Sequence, residues 1–469
     1  FSSLPSSACS LGTIGSMGPD RITRNTYDVL GRLIKTVGGY GVMKAGAGNV
    51  EIELGYTANG EVAWRKDGNG NLTSYTYDTY DRPLRTTFPG GSYEQLSYNT
   101  RSLITQRRKR SGRMVTYAYD NAARRTSTSY SNGDAAVSYT YDGLGRMATE
   151  VQNARTISYQ YDLAGRRTKI THHDDQAFDY SYYNDGALYQ VKQGATVLAT
   201  YSYDVRGRPI SAAHIDTTSQ TRGYDGVSRL SSRTLNLAGT SNDTTSSFTY
   251  NPASQIATAT LSNDSYAYVA ANGSRSYTVN ALNQFTAVAG NTYGYDTDGN
   301  LTGDGQWAWA YDSENRMISM AKSGTSTVVL TYDVKGRLRQ SAGGSTGTTQ
   351  FVYAGDELIA ELNSSGAVLR RYVHGPGIDD PLVWFEGSST ASSARRFMHS
   401  DVRGSIVAVT DGAGAAIQRN KYDDWGVPAS TNLGRFQYTG QTYFPEIGMY
   451  YYKARIYSPL LGRFMQTDP

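Results

Sequence analysis

Histidine and acidic side chains stand together at one place in the chain, His172-His173-Asp174-Asp175. Imidazole nitrogens and carboxylate oxygens are ligands that zinc and related metals take, so this run could supply a metal site. Four consecutive polar residues are also the composition of a hairpin tip, and we favour that interpretation. The sequence therefore predicts a turn here, with no metal and no cofactor.

Two further stretches resemble the start of a calcium-binding loop, Asp67-Gly68-Asn69-Gly70-Asn71 and Asp296-Thr297-Asp298-Gly299-Asn300. Such a loop needs a bidentate Glu at its twelfth position. That position is Asp78 in the first stretch and Trp307 in the second. We therefore interpret both stretches as turns.

The remaining candidates for chemistry are few. The chain has five His and one Cys, Cys9, and no Ser/His/Asp or Cys/His spacing that would support nucleophilic catalysis. No glycine-rich phosphate loop follows a strand and opens a helix. A single Cys cannot form an internal disulfide, so cysteine usage leaves the redox compartment open.

Composition predicts an all-β chain. Of 469 residues, 39 are Tyr and 50 are Gly, whereas Leu, Ile, Val and Phe together number 82, about 17%. Tyr and Thr favour pleated surfaces and Gly favours turns, which argues against a leucine-packed helical core. The net charge of 45 − 41 = +4 is too small over this length to indicate a nucleic-acid partner. No apolar run is long enough for a membrane span.

One phrase recurs through most of the chain: Tyr-Asp, two residues, then Gly-Arg. With weaker copies included, anchors that are spaced by 20 to 22 residues run from Tyr77 through Tyr98, Tyr119, Tyr141, Tyr161, Tyr183 and Tyr203 to Tyr224. The spacing slips between Tyr224 and Tyr295, where we expect a taper or an inserted loop. Clear copies, each with Arg at the last position and with Gly, Asp, Ser or Asn before it, begin at Tyr27, Tyr77, Tyr141, Tyr161, Tyr203, Tyr224, Tyr311 and Tyr332.

The phrase predicts a β-hairpin. Asp at the first position of a type I turn can accept hydrogen bonds from backbone amides two residues on, and Gly three positions later can take the left-handed conformation. Aromatic residues two apart, such as Tyr75 and Tyr77, share one face of a strand. Each repeat is then one hairpin, with strands of about eight residues, and stacked hairpins form one continuous sheet.

The length of this array and its composition predict a hollow architecture. A twisted sheet of some thirty strands does not stay flat and open. The chain also has too few aliphatic side chains to fill a solid interior. We therefore expect residues 22–374 to form a long spiralling antiparallel sheet of stacked hairpins, a hollow cocoon-like shell. The alternative, a row of small β-sandwiches, finds no linker to support it.

After about residue 374 the sequence no longer contains the repeat. Its last residues are Gly462-Arg463-Phe464-Met465-Gln466-Thr467-Asp468-Pro469. The Tyr-Asp phrase together with this ending resembles the Rhs/YD-repeat family. The resemblance implies three parts: a trimmed N-terminal segment at 1–21, a YD-repeat β-shell at 22–374, and an Rhs-associated core or C-terminal plug at 375–469.

The resemblance also implies a function. Such shells enclose a toxin that follows the core in the same polypeptide and deliver it in competition between bacteria or as part of an insecticidal toxin complex. The expected partners are the chain's own C-terminal toxin, a secretion component and an immunity protein, with secreted or cell-surface localisation. The alternatives are a wall-associated YD-repeat adhesion protein without cargo and, with less support, a carbohydrate-active β-solenoid.

In many members of the family two aspartates in the core act as an aspartic-protease-like pair that cuts the toxin free. Asp468 matches the second acid, and Arg455 and Arg463 match the motif's arginines, so Asp468 and Arg455 are the catalytic candidates. The first acidic position holds Ser458. Since Ser cannot replace a carboxylate in such a pair, cleavage would need another acid, such as Asp379, Asp380 or Asp423. Asp468 could equally be a turn-forming Asp-Pro.

Overall fold

The computed structural model describes residues 22–39, 49–131, 136–268, 274–280, 282–322, 324–344 and 347–467. Within these ranges the chain forms antiparallel strands that are joined by tight turns, and no α-helix is present. The prediction of an all-β chain with a long antiparallel sheet of hairpins is confirmed. Helical structure in the described ranges is limited to four 3-10 turns: Thr240–Asn242, Asp264–Tyr266, Ser392–Ala394 and Tyr438–Gly440.

The first sheet, here the long sheet, has 22 strands. Its strands are β1 (Thr23–Tyr27), β2 (Leu33–Gly38), β3 (Asn49–Tyr56), β4 (Val62–Asp67), β5 (Leu72–Tyr77), β6 (Pro83–Thr87), β7 (Tyr93–Tyr98), β8 (Ile104–Arg108), β9 (Met114–Tyr119), β10 (Arg125–Tyr130), β11 (Val137–Tyr141), β12 (Met147–Gln152), β13 (Arg155–Tyr161), β14 (Arg167–Thr171), β15 (Ala177–Tyr182), β16 (Leu188–Gln193), β17 (Thr196–Tyr203), β18 (Pro209–His214), β19 (Ser219–Tyr224), β20 (Leu230–Asn236), β21 (Thr244–Tyr250) and β22 (Ile256–Leu261).

Three further sheets follow, of 3, 13 and 4 strands. The small sheet is β23 (Tyr277–Val279), β24 (Phe285–Val288) and β25 (Asn291–Thr292). The 13-stranded sheet, here the second sheet, is β26 (Gly294–Tyr295), β27 (Leu301–Gly303), β28 (Trp307–Tyr311), β29 (Met317–Lys322), β30 (Val328–Tyr332), β31 (Leu338–Ala342), β32 (Thr348–Ala354), β33 (Glu357–Leu362), β34 (Val368–His374), β35 (Pro381–Glu386), β36 (Arg395–Ser400), β37 (Ile406–Asp411) and β38 (Ala416–Arg419). The last sheet is β39 (Thr442–Phe444), β40 (Met449–Tyr452), β41 (Arg455–Ser458) and β42 (Arg463–Phe464).

Two compact units divide the chain, a smaller one of residues 1–123 and 129–132 and a larger one of residues 124–128 and 133–469. In the described part of the smaller unit nearly every side chain before residue 115 is exposed or half-buried. The larger unit contains the buried clusters that are described below. The cysteine at position 9 lies outside the described residues.

The turn after Tyr141 shows how the repeated phrase folds. Asp142 Oδ1 accepts hydrogen bonds from the amides of Leu144 and Arg146, each at 2.9 Å, and its Oδ2 accepts one from Arg146 Nε at 2.7 Å. Gly145 takes a φ of 82°, and its amide donates to Asp142 O. This is a type I turn followed by a left-handed residue, as the sequence predicts. The bonds from Arg146 lower the pKa of Asp142.

The arginine of each repeat also reaches the tyrosine of the next repeat. The Arg146 guanidinium lies 4.9 Å from the ring centre of Tyr161. The Tyr161 hydroxyl donates to Met147 O at 2.9 Å, on the strand that the same arginine begins. A Tyr-Asp-Arg linkage, defined as these contacts among the turn Asp, its Arg and the next Tyr, therefore joins one hairpin to the following one.

The same linkage recurs along both large sheets. Tyrosine hydroxyls donate to the carbonyl after the turn in the pairs Tyr56–Leu33, Tyr77–Val62, Tyr98–Pro83, Tyr119–Ile104, Tyr182–Arg167, Tyr224–Pro209, Tyr250–Leu230, Tyr332–Met317 and Tyr353–Leu338. Arginines lie over the following ring in the pairs Arg32–Tyr56, Arg82–Tyr98, Arg166–Tyr182, Arg208–Tyr224, Arg229–Tyr250, Arg316–Tyr332 and Arg337–Tyr353.

In the larger unit the second sheet lies between two other layers. One face of its strands packs against β13–β18 of the long sheet, with Phe178 and Leu198 against Val383, Phe385 and Phe397. The opposite face packs against the C-terminal segment. The buried aliphatic and aromatic side chains of the larger unit are thus concentrated where its sheets pack on one another.

The irregular spacing after Tyr224 marks a change of sheet. The long sheet ends at Leu261 and the second sheet begins at Gly294, with the small sheet between them. The second sheet then continues past His374 to Arg419, since β34 pairs with β35 and the pairing runs on to β38. Residue 374 is thus not an edge of the sheet, and the division into a shell at 22–374 and a core at 375–469 stays a prediction.

We predict that the tyrosine hydroxyl matters most where the linkage is buried. Tyr353→Phe removes a buried donor to Leu338 O and should lower the free energy of unfolding by about 1–2 kcal/mol. Tyr98→Phe removes the equivalent exposed bond to Pro83 O and should cost about 0.5 kcal/mol or less. Urea unfolding of both variants measures the difference, and equal costs would contradict it.

Candidate functional site

The C-terminal segment, residues 422–467, forms one layer. It contains Arg455, Ser458 and Arg463, the described positions of the motif on which the family resemblance rests. Its strands β39–β42 are antiparallel, and Phe444, Met449, Ile456 and Met465 pack against side chains of the second sheet. Gly462 has a φ of 62°, and a Cβ there would lie 2.7 Å from the Trp425 ring. Only glycine meets both conditions, so the sharp turn between β41 and β42 depends on it.

A buried ion pair fastens this segment to the second sheet. Arg435 donates to Glu361 Oε2 from Nη2 at 2.9 Å and from Nε at 3.2 Å. The Tyr372 hydroxyl donates to Glu361 Oε1. Arg435 Nη1 donates to Tyr443 O at 3.1 Å and lies 3.7 Å from Glu446 Oε2. Burial alone would raise the pKa of Glu361, but Arg435 and the Tyr372 hydroxyl bring that pKa below its ordinary value.

The last described residues are hydrogen-bonded to two turns of the second sheet. Met465 O accepts from the Leu301 amide at 2.8 Å. The Thr467 amide donates to Asn300 Oδ1 at 3.1 Å, and Asn315 Nδ2 donates to Thr467 Oγ1 at 3.0 Å. Both asparagines stand at Tyr-Asp turns, at residues 296–300 and 312–316. The structure therefore fixes the position and direction of the chain immediately before Asp468, which itself lies outside the described residues.

The other motif residues line the approach to this point. The Arg455 guanidinium lies 3.8 Å from the ring centre of Phe464. Arg463 donates to Asn283 O and lies 3.8 Å from the Phe285 ring centre. Ser458 is buried at 4% exposure and lines a cavity of about 450 Å³. A second cavity, of about 270 Å³, is lined by Gly299, Leu301, Arg463, Phe464, Met465 and Thr467.

The three acids that could replace the missing carboxylate are engaged elsewhere. Asp379 pairs with Lys453 at 2.6 Å and accepts from Gln441 at 2.7 Å. Asp423 accepts from the amides of its own turn. Asp380 accepts from the Gly377 amide at 3.3 Å. Thr467, the last described residue, contacts none of these three acids in the hydrogen bonds given above. Its Oγ1 donates to the backbone carbonyl of Asp298 at 3.3 Å.

The stretches that suggested metal ligands form turns. His172 and Asp175 close a turn in which the Asp175 amide donates to His172 O, while Asp174 pairs with Arg371. Asp67 and Asp296 each accept from amides of their own turns. Among the residues that the structure describes, no group of three or more His, Cys, Asp or Glu side chains could hold a metal ion.

Comparison with known proteins shows what this chain is similar to. The sequence profile of the teneurin YD-shell matches residues 262–469. The tRNA3(Ser)-specific nuclease WapA of Bacillus spizizenii is 31% identical over 201 residues, which span 40% of this chain and 8% of that protein. The toxin protein Tse5 of Pseudomonas aeruginosa is 26% identical over 232 residues, 40% of this chain and 18% of Tse5. These matches confirm the resemblance to the Rhs/YD-repeat family.

Solved structures extend the likeness of fold to almost the whole chain. The Tc holotoxin pore of Photorhabdus luminescens matches with a TM-score of 0.71 at 15% identity, over 96% of this chain and 28% of that one. A TcdB2-TccC3 crystal structure gives a TM-score of 0.71, also at 15% identity, over 96% of this chain and 30% of that one. The chain thus spans less than a third of these structures and less than a fifth of WapA and Tse5.

None of the helical segments in the described ranges has the length and apolar character needed to cross a bilayer.

Sequence reasoning missed the residues that hold the segment in place. Glu361 and Arg435 are separated by 74 positions and belong to no repeated phrase. One signal could have found Glu361: it stands within the apolar run Leu358-Ile359-Ala360-Glu361-Leu362, where a charged residue in a buried strand requires a partner. The identity of that partner could not be read from spacing.

We predict that the Glu361–Arg435 pair is costly to break from one side. Arg435→Met leaves a buried carboxylate without its counter-ion and should destabilise the larger unit by about 3–5 kcal/mol. The double variant Glu361→Leu/Arg435→Met removes both charges and should recover much of that loss. Urea unfolding measures both. A cost below about 1 kcal/mol for Arg435→Met would contradict the assignment.

Proposed function

We propose that this chain is part of a shell that encloses a toxic polypeptide which follows it in the same protein, and that it serves the delivery of that polypeptide. The fold likeness over 96% of the chain to Tc toxin structures supports this proposal. So does the sequence likeness to WapA and Tse5, a nuclease and a toxin by name. The shell itself performs no catalytic turnover; its task is to enclose and to release.

The geometry suits that task in two respects. Each hairpin is held by its neighbour through the Tyr-Asp-Arg linkage, so the sheet can be lengthened repeat by repeat without a new core. The C-terminal segment packs on the second sheet, and its last described residues are fixed by Asn300 and Asn315. A polypeptide that continues after this point would leave from a defined place.

The partners and location follow from the same proposal. The cargo is the polypeptide after the core, and an immunity protein in the producing cell and a secretion component complete the system. The shell then acts outside the producing cell, as a secreted or cell-surface bacterial protein. We retain residues 375–469 as the plug-like core and residues 22–374 as the shell wall within this proposal.

We further propose that release uses a single self-cleavage in which Asp468 and Arg455 are the catalytic residues, Asp468 as the acid. Two close carboxyls work as a pair when one is protonated and donates its proton while the other activates water. Ser458 stands where the family motif has the other acid, so we propose that this substitution limits cleavage in this chain.

Variants of these two positions test the cleavage proposal. Asp468→Asn in the full-length natural protein should leave the polypeptide intact. Ser458→Asp restores the motif acid at the wall of the 450 Å³ cavity and should increase the cleaved fraction at least tenfold over wild type. Intact-mass measurement after purification reads out both. Cleavage that is unchanged by Asp468→Asn, or Ser458→Asp that stays uncut, would end the proposal.

Enclosure is tested separately by protease protection. The reading frame after Pro469 should encode a tail of roughly 100–150 residues, about the size of one domain. In the full-length protein that tail should resist trypsin at least tenfold longer than the same tail expressed alone. A tail that is digested at equal rates in both forms would exclude enclosure, and a wall-anchoring segment in its place would favour the adhesion alternative.

A further inference from the structure

All five histidines of the chain lie in the part of the larger unit where the long sheet faces the second sheet. His172 and His173 stand in the turn between β14 and β15, and His214 ends β18. His374 ends β34, and His399 lies in β36. Four of the five are less than 8% exposed, the exception being the half-buried His173. We call this region the histidine joint.

Two of these side chains meet across the joint. The His214 ring stacks on Phe397 of the second sheet at 5.3 Å between centres and lies 5.3 Å from the His399 ring. His214 Nδ1 is 3.1 Å from Thr218 Oγ1, and His399 Nε2 is 3.0 Å from Thr410 Oγ1. Each contact thus joins an imidazole to a buried hydroxyl.

The proton positions in this cluster follow from Asp216. Its carboxylate accepts from the hydroxyl of Thr218 at 2.6 Å and from the hydroxyl of Thr410 at 2.6 Å. A hydroxyl has one hydrogen to donate, so toward the imidazoles both threonines can only accept. His214 therefore carries its proton on Nδ1, and His399 carries its proton on Nε2. Each ring, in its neutral form, thus donates one hydrogen bond to a threonine hydroxyl.

A second proton on His399 would sit on the buried Nδ1, where no hydrogen-bond acceptor is in reach among the described residues. The charges that act on it are those of His214 and Arg233, and both oppose protonation. Burial, with the neighbouring His214 and the Arg233 cation, holds the pKa of His399 well below 6.5. Arg233 is itself buried and donates to Asp401 O and Ser400 Oγ.

The other histidines face charges of both signs. Burial lowers the pKa of His214, although Asp216 and Asp380 favour its charged form. Burial and the cation of Arg371 place the pKa of His172 well below its ordinary value, with His173 and His374 acting in the same direction.

His173 and His374 lie at the edge of the joint. Burial lowers the pKa of His173, against Asp174 and together with Arg155 and Arg371. His374 lies beside Glu357 and Arg167 in a cavity of about 440 Å³ between the two sheets, where its Nε2 contacts Leu358 O at 2.8 Å.

We propose that the histidine joint is an acid-sensitive contact, which holds the two sheets of the larger unit together at neutral pH and loosens when its buried imidazoles are protonated. The proposal concerns the packing of this chain and does not depend on the presence of a cargo. In a shell, such a joint would open in an acidified compartment.

The direction of the effect follows from linkage. Burial lowers the pKa of His172, His214 and His399 in the packed joint, whereas in the opened joint these imidazoles recover an ordinary pKa near 6.5. Below that pH the opened state binds more protons, so acid favours it, and each of these three histidines contributes up to tenfold in the equilibrium constant per pH unit. Asp216 and Asp380 favour a charge on His214, whereas His214 and Arg233 oppose a charge on His399.

Hydrogen exchange of the full chain tests the proposal. Between pH 7.5 and 5.0, with labelling times corrected for intrinsic rates, amides of β15–β18 and β34–β36 should lose protection by at least tenfold. Most carboxylates remain ionised over this range, so their titration does not confuse the result. Strands β3–β8 of the smaller unit contain no histidine and provide an internal control that should not change.

Variants assign the effect to the buried rings. The triple variant His172→Gln/His214→Gln/His399→Gln should be less stable than wild type at pH 7.5 but should lose most of the pH dependence in β15–β18. The single variant His173→Gln, at the half-buried neighbouring position, should keep most of it. Unchanged protection of the wild-type joint at pH 5.0, or a full pH response in the triple variant, would overturn the proposal. If the triple variant does not fold, His399→Gln alone should reduce the response.

Discussion

The structure depends on the Tyr-Asp-Arg linkage, a set of contacts between each hairpin and the next one along the chain. An aspartate closes a turn around an arginine, the arginine lies over the tyrosine of the following hairpin, and that tyrosine donates its hydroxyl to the strand that the arginine begins. The hydrogen bonds from Arg146 to Asp142 and from Tyr161 to Met147 all join groups within about twenty residues of sequence. A sheet that is built in this way needs few aliphatic side chains, since the tyrosine rings supply area and their hydroxyls find backbone partners.

The larger unit adds what the linkage alone cannot provide. Its second sheet is packed on both faces, and two ion pairs with a buried carboxylate connect it to its neighbours. Glu361 with Arg435 holds the C-terminal segment, while Glu150 with Arg337 at 3.0 Å joins the long sheet to the second sheet. Such pairs add little net stability over apolar residues, but breaking them from one side is costly, so they fix which surfaces meet.

The sequence predicted what is local and missed what is distant. The turn at Asp142, the left-handed Gly145, and the hairpin period follow from residues within a few positions of each other, and the structure confirms them. The partner of each tyrosine hydroxyl lies about fifteen residues away and was not identified. The packing of Phe178 on Phe385, the Glu361–Arg435 pair and the five histidines at one joint depend on contacts across about 70 to 200 residues, which no repeat encodes. Asp468 was singled out only through the family motif.

A double-mutant cycle between Arg316 and Tyr332 tests the linkage most directly, because the guanidinium lies 4.9 Å from the ring centre at a buried position of the larger unit. Arg316→Met, Tyr332→Leu and the double variant are compared by urea unfolding. If the linkage carries the sheet, the coupling free energy should be about 1 kcal/mol or more. Strictly additive losses from the two single variants would contradict the account.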